Sequence, residues 1–292
     1  MSAQQISLEM DQQFEAAKRA GLMPSLFVSH GSPMLALEDS DNAAFLTELG
    51  GKLLKPKGIV VFSAHTDSQA GVRITAGEQP KTVHDFYGFP DALYRIEYRA
   101  PGAPALAEKV ANLLKAGGLD AVLDKQMGWD HGLWNPLCRL YPQADIPVVQ
   151  VSLDTSKGAK YHYQLGKALS SLRAQGVLIL GSGGISHNLR EIFSRPGDPD
   201  RVEKMQAFVR WIADGVAKQD LSSLLDYEAK APYARFNHPT VEHLMPFYVA
   251  LGAGQAEADT DLDTESGSRP ALRLHQSVEM QILALDSYAW FE

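Results

Sequence analysis

The sequence predicts an α/β fold: a central sheet, mostly parallel or mixed, covered by helices on both faces within a single domain. Three observations carry this expectation. Four short segments are continuously apolar, without polar alternation, as in strands buried on both faces. Segments with helical apolar spacing lie between them. Strands alternating with helices imply a layered α/β arrangement, and no repeat or linker divides the chain.

Residues 1–20 are polar and charged with a weak helical pattern. They read as a leader helix or disordered tail ahead of a domain covering residues 21–292. The first strand is expected over 22–29, ending at His30. The second, over 58–63, is rich in β-branched residues and ends just before His65. A third is expected over 146–153 and a fourth over 176–181, close to His187. Helices are expected over 103–116, stopped by Gly117 and Gly118, and over 160–174, stopped by Gly176. Residues 202–216 carry a stripe of Val202, Met205, Phe208, Val209, Ile212 and Val216. A last helix follows Pro239 over 240–251 and stops at Gly252. Residues 253–270 are acidic and rich in Gly and Ser, as in an exposed loop, and 272–288 read as a late strand pair or interface segment.

The chain has 292 residues, 45% of them hydrophobic, enough for one large core. Net charge is −8 and the pI about 5.6, with no basic stripe, so nucleic acid is not an expected partner. Cys138 is the only cysteine, which excludes an internal disulfide and a cysteine-rich metal site and fits a reducing compartment. No apolar run approaches the roughly 20 residues that span a bilayer. The N-terminus lacks the apolar core of a signal peptide, so the cytoplasm is the expected location. The oligomeric state is open, and a homo-oligomer is compatible with the sequence.

Four of the nine histidines sit in short, punctuated contexts. They are His30 before Gly31-Ser32-Pro33, His65 in Ser63-Ala64-His65-Thr66-Asp67, His187 after Gly183-Gly184-Ile185-Ser186, and His243 in 238–246. Sites in open α/β sheets lie beyond the carboxyl ends of strands. Imidazoles converging there suit iron or zinc, which points to a mononuclear metal enzyme. Asp67 is a candidate to hold the second ring nitrogen of His65. The glycines of Gly181-Ser182-Gly183-Gly184 lack the Lys-Ser/Thr of a P-loop and the G-x-G-x-x-G dinucleotide pattern, and suit close approach of backbone to a ligand. Residues 83–90 combine His84, Asp85 and Phe86 with further aromatics. Residues 130–134 place His131 and Trp134 in an expected loop. Rings beside histidines suit a flat aromatic substrate, against plain loop packing as the alternative. His162 and His275 read as structural.

These motifs, in this order, resemble the class III extradiol ring-cleavage dioxygenases, and among them the 4,5-DOPA dioxygenase-like group. The likeness rests on His30-Gly31-Ser32-Pro33, Ser63-Ala64-His65, His84-Asp85-Phe86 with Gly88-Phe89-Pro90, Asp130-His131-Gly132, Ser186-His187-Asn188-Leu189 and Pro239-Thr240 with Glu242-His243. The resemblance implies that His30, His65 and His243 are metal ligands; His238, nearby in sequence, is the reserve should His243 prove dispensable. The resemblance also implies that His187 is the active-site acid and base, and that His131 lies on the substrate side. His84, Phe86 and Trp134, read above as rings beside histidines, are the candidate substrate contacts. Many extradiol enzymes use two histidines and a carboxylate on Fe(II). Here Glu242 adjoins His243, and neighbouring helical residues point about 100° apart, so both are not expected on one ion. The implied activity is Fe(II)-dependent opening of a catechol such as DOPA, caffeate or protocatechuate, with both atoms of O2 inserted. Zn(II) also suits an all-histidine site, and the competing activity is a mononuclear zinc hydrolase acting on an amide or ester. A non-catalytic binding module on the same fold is a third reading.

Overall fold

The computed structural model describes residues 3–194, 196–255 and 271–291. Four strands run parallel at the centre of one sheet: β1 (Ser25–Ser29), β2 (Gly58–Asp67), β5 (Val148–Leu153) and β6 (Val177–Gly183). Two short strands extend one side, β3 (Val72–Thr75) beside β5 and β4 (Ala121–Asp124) at the edge. On the other side β10 (Ser287–Trp290) pairs antiparallel with β1, and β7 (Leu272–His275) follows it. The order is β4-β3-β5-β2-β6-β1-β10-β7, a mixed eight-stranded sheet. A separate hairpin joins β8 (Val278–Glu279) to β9 (Leu283–Ala284).

The central strands are apolar throughout because each face meets its own layer. Phe27, Val60, Phe62, Val149, Val151 and Ile179 belong to one core. Helices α3 (Pro104–Ala116), α5 (Ala159–Leu169), α7 (Arg201–Ala217) and α11 (Met245–Ala253) close it. Leu26, Val28, Ile59, Val61, Leu178 and Leu180 belong to the second core, beneath α1 (Ala3–Ala20), α2 (Asp41–Lys52) and α4 (His131–Leu140). All nine residues of α11 are buried, as an all-apolar helix requires. Helix α1 docks through Phe14, whose ring meets Phe291 edge-on at 5.0 Å. Short helices α6 (Leu189–Phe193), α8 (Leu221–Leu225), α9 (Tyr227–Lys230) and α10 (Ala234–Asn237) join α7 in carrying the chain from β6 to α11. No described helix is long and apolar enough to cross a membrane.

Several boundaries differ from the sequence expectation. β1 begins only at Ser25, after Pro24. β2 runs on to Asp67 with an irregular register beyond Phe62, so His65 lies within the strand. Residues 131–140 are helical, with Asp130 as N-cap, where a loop was expected. The last helix starts at Met245, with Pro246 in its first turn, so Glu242 and His243 lie in the turn before it. α5 passes at Leu169 into a 3-10 turn that ends at Gly176 with φ 83°. Most of the expected acidic loop, from residue 256, lies outside the described residues.

Candidate metal centre

Parallel strands β1 and β2, on either side of β6, bring His30 and His65 together at their carboxyl ends, with Nε2 atoms 3.0 Å apart. The His30 backbone N–H donates to Gly183 O. Its Nδ1 lies 3.0 Å from Ser182 Oγ, whose own proton goes to Gly132 O. Ser182 must therefore accept from Nδ1–H, which leaves a lone pair on His30 Nε2. The third imidazole is His243. Its Nδ1 lies 3.2 Å from Glu242 Oε1, which also accepts from Thr240 Oγ1. Glu242 thus holds the far nitrogen of the ring, the usual place of a carboxylate behind a ligating histidine. His243 Nε2 is buried without a partner.

Gly183 makes this placement possible. A Cβ there would overlap the His243 carbonyl oxygen, and one on Gly181 would overlap Pro246 O. These glycines admit the 243–246 backbone against β6, where the sequence suggested approach to a ligand. Gly184 N–H then donates to His243 O at 2.9 Å. Gly183→Ala should force the turn outward and lower stability by about 1–3 kcal/mol. Thermal unfolding of the metal-free protein checks this, and an unchanged Tm would contradict it.

One ring nitrogen from each of His30, His65 and His243 lies within 4.8 Å of the other two. Burial drives all three pKa values down, His65 to about 3 and the others well below the ordinary value; the neighbouring imidazoles add to this. The rings are neutral at pH 7, the form that ligates. Ring nitrogens converging on one point, one of them buried without a partner, fit a metal cation.

Two further histidines flank this group. His187 stacks on His243 with centroids 3.4 Å apart and planes 7° from parallel. Its backbone N–H donates to Asn237 O. Burial lowers its pKa to about 4, against an opposing effect of Glu242. His131 opens α4, with its ring 3.8 Å from that of His65 and 5.7 Å from that of His30. Asp130 holds the helix start in place. One oxygen accepts from Leu133 N at 3.0 Å, and the other meets Thr66 Oγ1 and Gln150 Nε2, both at 2.5 Å. A Cβ on Gly132 would overlap Ser63 Oγ, so only glycine lets α4 approach β2 this closely.

Asp85 Oδ1 accepts the His131 backbone N–H at 2.9 Å. Its Oδ2 lies 2.9 Å from His131 Nδ1, a close contact without aligned hydrogen-bond geometry, and 3.9 Å from His65 Nδ1. Burial pushes the Asp85 carboxyl up, but His131 outweighs it and holds the carboxyl below its usual range.

An aromatic wall adjoins the histidines. The half-buried Phe86 ring lies 5.4 Å from His131 and 5.3 Å from Tyr94. Behind it, His84 bonds Ile96 O through Nε2. Trp134 is fully buried, 6.0 Å from Phe86, and donates to Val83 O. Other histidines stay outside. His238 Nε2 bonds Ile185 O, His162 bonds the carbonyl of Gly158 just ahead of α5, and His275 stacks on Phe45. Asp67 bonds Thr155 through both oxygens and does not engage His65, contrary to the sequence expectation. The sequence reading passed over Ser182, Asp85 and Glu242 as partners of the rings. The adjacency of Glu242 to His243 was the one visible sign.

Residues 24–268 match the family described as the catalytic LigB subunit of aromatic ring-opening dioxygenase. The chain belongs to this family. Among LigB relatives, a 4,5-DOPA dioxygenase extradiol of Escherichia coli (strain K12) is 40% identical over 250 residues, covering 83% of this chain and 89% of its own. A 4,5-DOPA dioxygenase extradiol of Beta vulgaris is 37% identical over 270 residues, covering 90% and 95%. The crystal structure of an uncharacterized protein from Escherichia coli K12 superposes with TM-score 0.72 at 33% identity, over 91% of this chain and 99% of that one. The LigB assignment makes this chain a dioxygenase-class enzyme, and the histidine cluster is its one three-imidazole group that could hold a metal among the described residues.

Proposed function

We propose that this protein is an Fe(II)-dependent extradiol dioxygenase that opens a catechol ring beside its two hydroxyls. The observation that carries the reading is the meeting of His30, His65 and His243 as neutral rings, with a buried unpartnered Nε2, beside two further imidazoles and Phe86. The family and its DOPA-cleaving relatives supply the reaction class. His30, His65 and His243 would hold the ion. Fe(II), when bound, couples the catechol to dioxygen and acidifies the hydroxyls.

The chain's own residues position substrate and manage protons. Phe86 offers a flat apolar surface for the ring, backed by His84 and Trp134. His187 is neutral and fixed against His243, so it can take a hydroxyl proton and return one later. Both oxygen atoms end in the ring-opened product, so no external reductant is required.

Protein loaded anaerobically with Fe(II) should consume one O2 per catechol and yield a visibly absorbing product. DOPA is the first substrate to test, followed by caffeate, protocatechuate and simple catechols. Absence of oxygen uptake across that panel, with ester or amide turnover by the zinc form, would replace this reading with a hydrolase.

A further inference from the structure

We propose that Asp85 is a positioning residue that fixes the proton of His131 on Nδ1 and so turns Nε2 into a proton acceptor facing the substrate. The proposal rests on the ring-cleavage reading above for its catalytic meaning, though not for its structural content.

The argument follows from what each atom can donate. One Asp85 oxygen is committed to the His131 backbone N–H. The other lies 2.9 Å from Nδ1, which is buried and has no other partner. An ionised carboxylate only accepts, so the ring proton belongs on Nδ1. Nε2 then keeps its lone pair, and no hydrogen bond engages it among the described residues. The ring adjoins both His65 and His30, at 3.8 and 5.7 Å, and Phe86, at 5.4 Å. A catechol lying against Phe86 with its hydroxyls toward the metal ligands would bring an O–H to this nitrogen. In the transfer, the O–H bond breaks, an Nε2–H bond forms and Nδ1 keeps its proton. The imidazolium charge is balanced by Asp85. His187 and His131 flank different ligands, His243 and His65, so each can serve one hydroxyl.

Asp85→Asn makes a sharp test because the backbone N–H is a fixed donor. The amide oxygen must take it, which turns the amide NH2 toward Nδ1. Nδ1 must then be the acceptor, and the ring proton moves to Nε2. A nearly isosteric change thus converts the proton acceptor into a donor. Asp85 is partly exposed, so the variant should fold.

Nitrogen-15 NMR of the metal-free protein, with His131 assigned through His131→Gln, reads the tautomer directly. The expected result is Nδ1–H in the wild type and Nε2–H in Asp85→Asn. Fe(II)-loaded Asp85→Asn should lose about 10²-fold or more in kcat, with metal content retained and KM little changed. Asp85→Glu keeps an acceptor-only group and should recover at least part of that loss. The double variant Asp85→Asn/His131→Gln should be no slower than its slower parent, since both act through one nitrogen. Nδ1–H in both proteins would overturn the proposal. So would loss of metal in step with activity, which would make Asp85 a ligand, or equal defects in the Asn and Glu variants. If the wild type cleaves no catechol, the ring-cleavage reading fails, while the tautomer measurement still decides the role of Asp85.

Discussion

Alanine at His30, His65 or His243 is expected to remove metal and activity together. Each ring contributes one nitrogen to the cluster, and two of the three are held by a bond at the opposite nitrogen. Loss of a supporting residue behind a ligand typically costs about 10–100-fold in metal affinity, so loss of a ligand should exceed that. Elemental analysis after dialysis would show it; full occupancy in all three variants would refute the assignment. His238→Ala is the control and should keep its metal, since Ile185 O already engages that ring. Acidification gives an independent check. Folding lowers the pKa values of these three histidines beneath the ordinary value. The unfolded chain therefore binds more protons, and stability of the metal-free protein declines as pH falls below about 6.5. Each alanine variant should flatten that decline, as read by Tm against pH.

Removing the imidazole at position 187 should separate chemistry from binding. His187→Ala or His187→Gln is expected to lose about 10²–10⁴-fold in turnover, the usual contribution of a placed acid–base group. The ring stacks on His243 without a direct bond to it, so iron content and catechol affinity should largely persist. Metal, binding and turnover measured on one preparation decide the matter. Iron lost in proportion to activity would make His187 a ligand. Near-normal turnover would remove it from the mechanism and leave the proton work to His131.

The parts of the fold that were readable are those whose burial is symmetrical. β1, β2, β5 and β6 show as apolar runs because both their faces meet helices. β3 and β4 are four-residue strands toward one edge, with Arg73, Val122 and Leu123 exposed, so no run forms. Helix α4 was hidden by Gly132 and Pro136, both poor helix formers. Yet Asp130 capping Leu133 starts the helix, and Gly132 is required where α4 meets Ser63. The histidines stood out because turns punctuate them. Their carboxylate partners did not, since Asp85 reaches His131 across 46 residues of sequence. Asp67, near His65 in sequence, turns to Thr155 instead.

His30 follows the first strand, whereas His243 enters only with the turn that precedes α11, near the far end of the chain. The three nitrogens cannot meet until β6 has paired with both β1 and β2 and that turn has settled on Gly183. A nascent chain still lacking its last quarter therefore offers no three-imidazole cradle, and under the function proposed above an ion would be captured late in the protein's life. Intrinsic affinity at such a cradle ranks zinc above ferrous iron. On that reading, metal supply as well as affinity would decide which ion fills the cradle, and cells grown short of iron are expected to yield a zinc-filled protein without ring-cleavage activity.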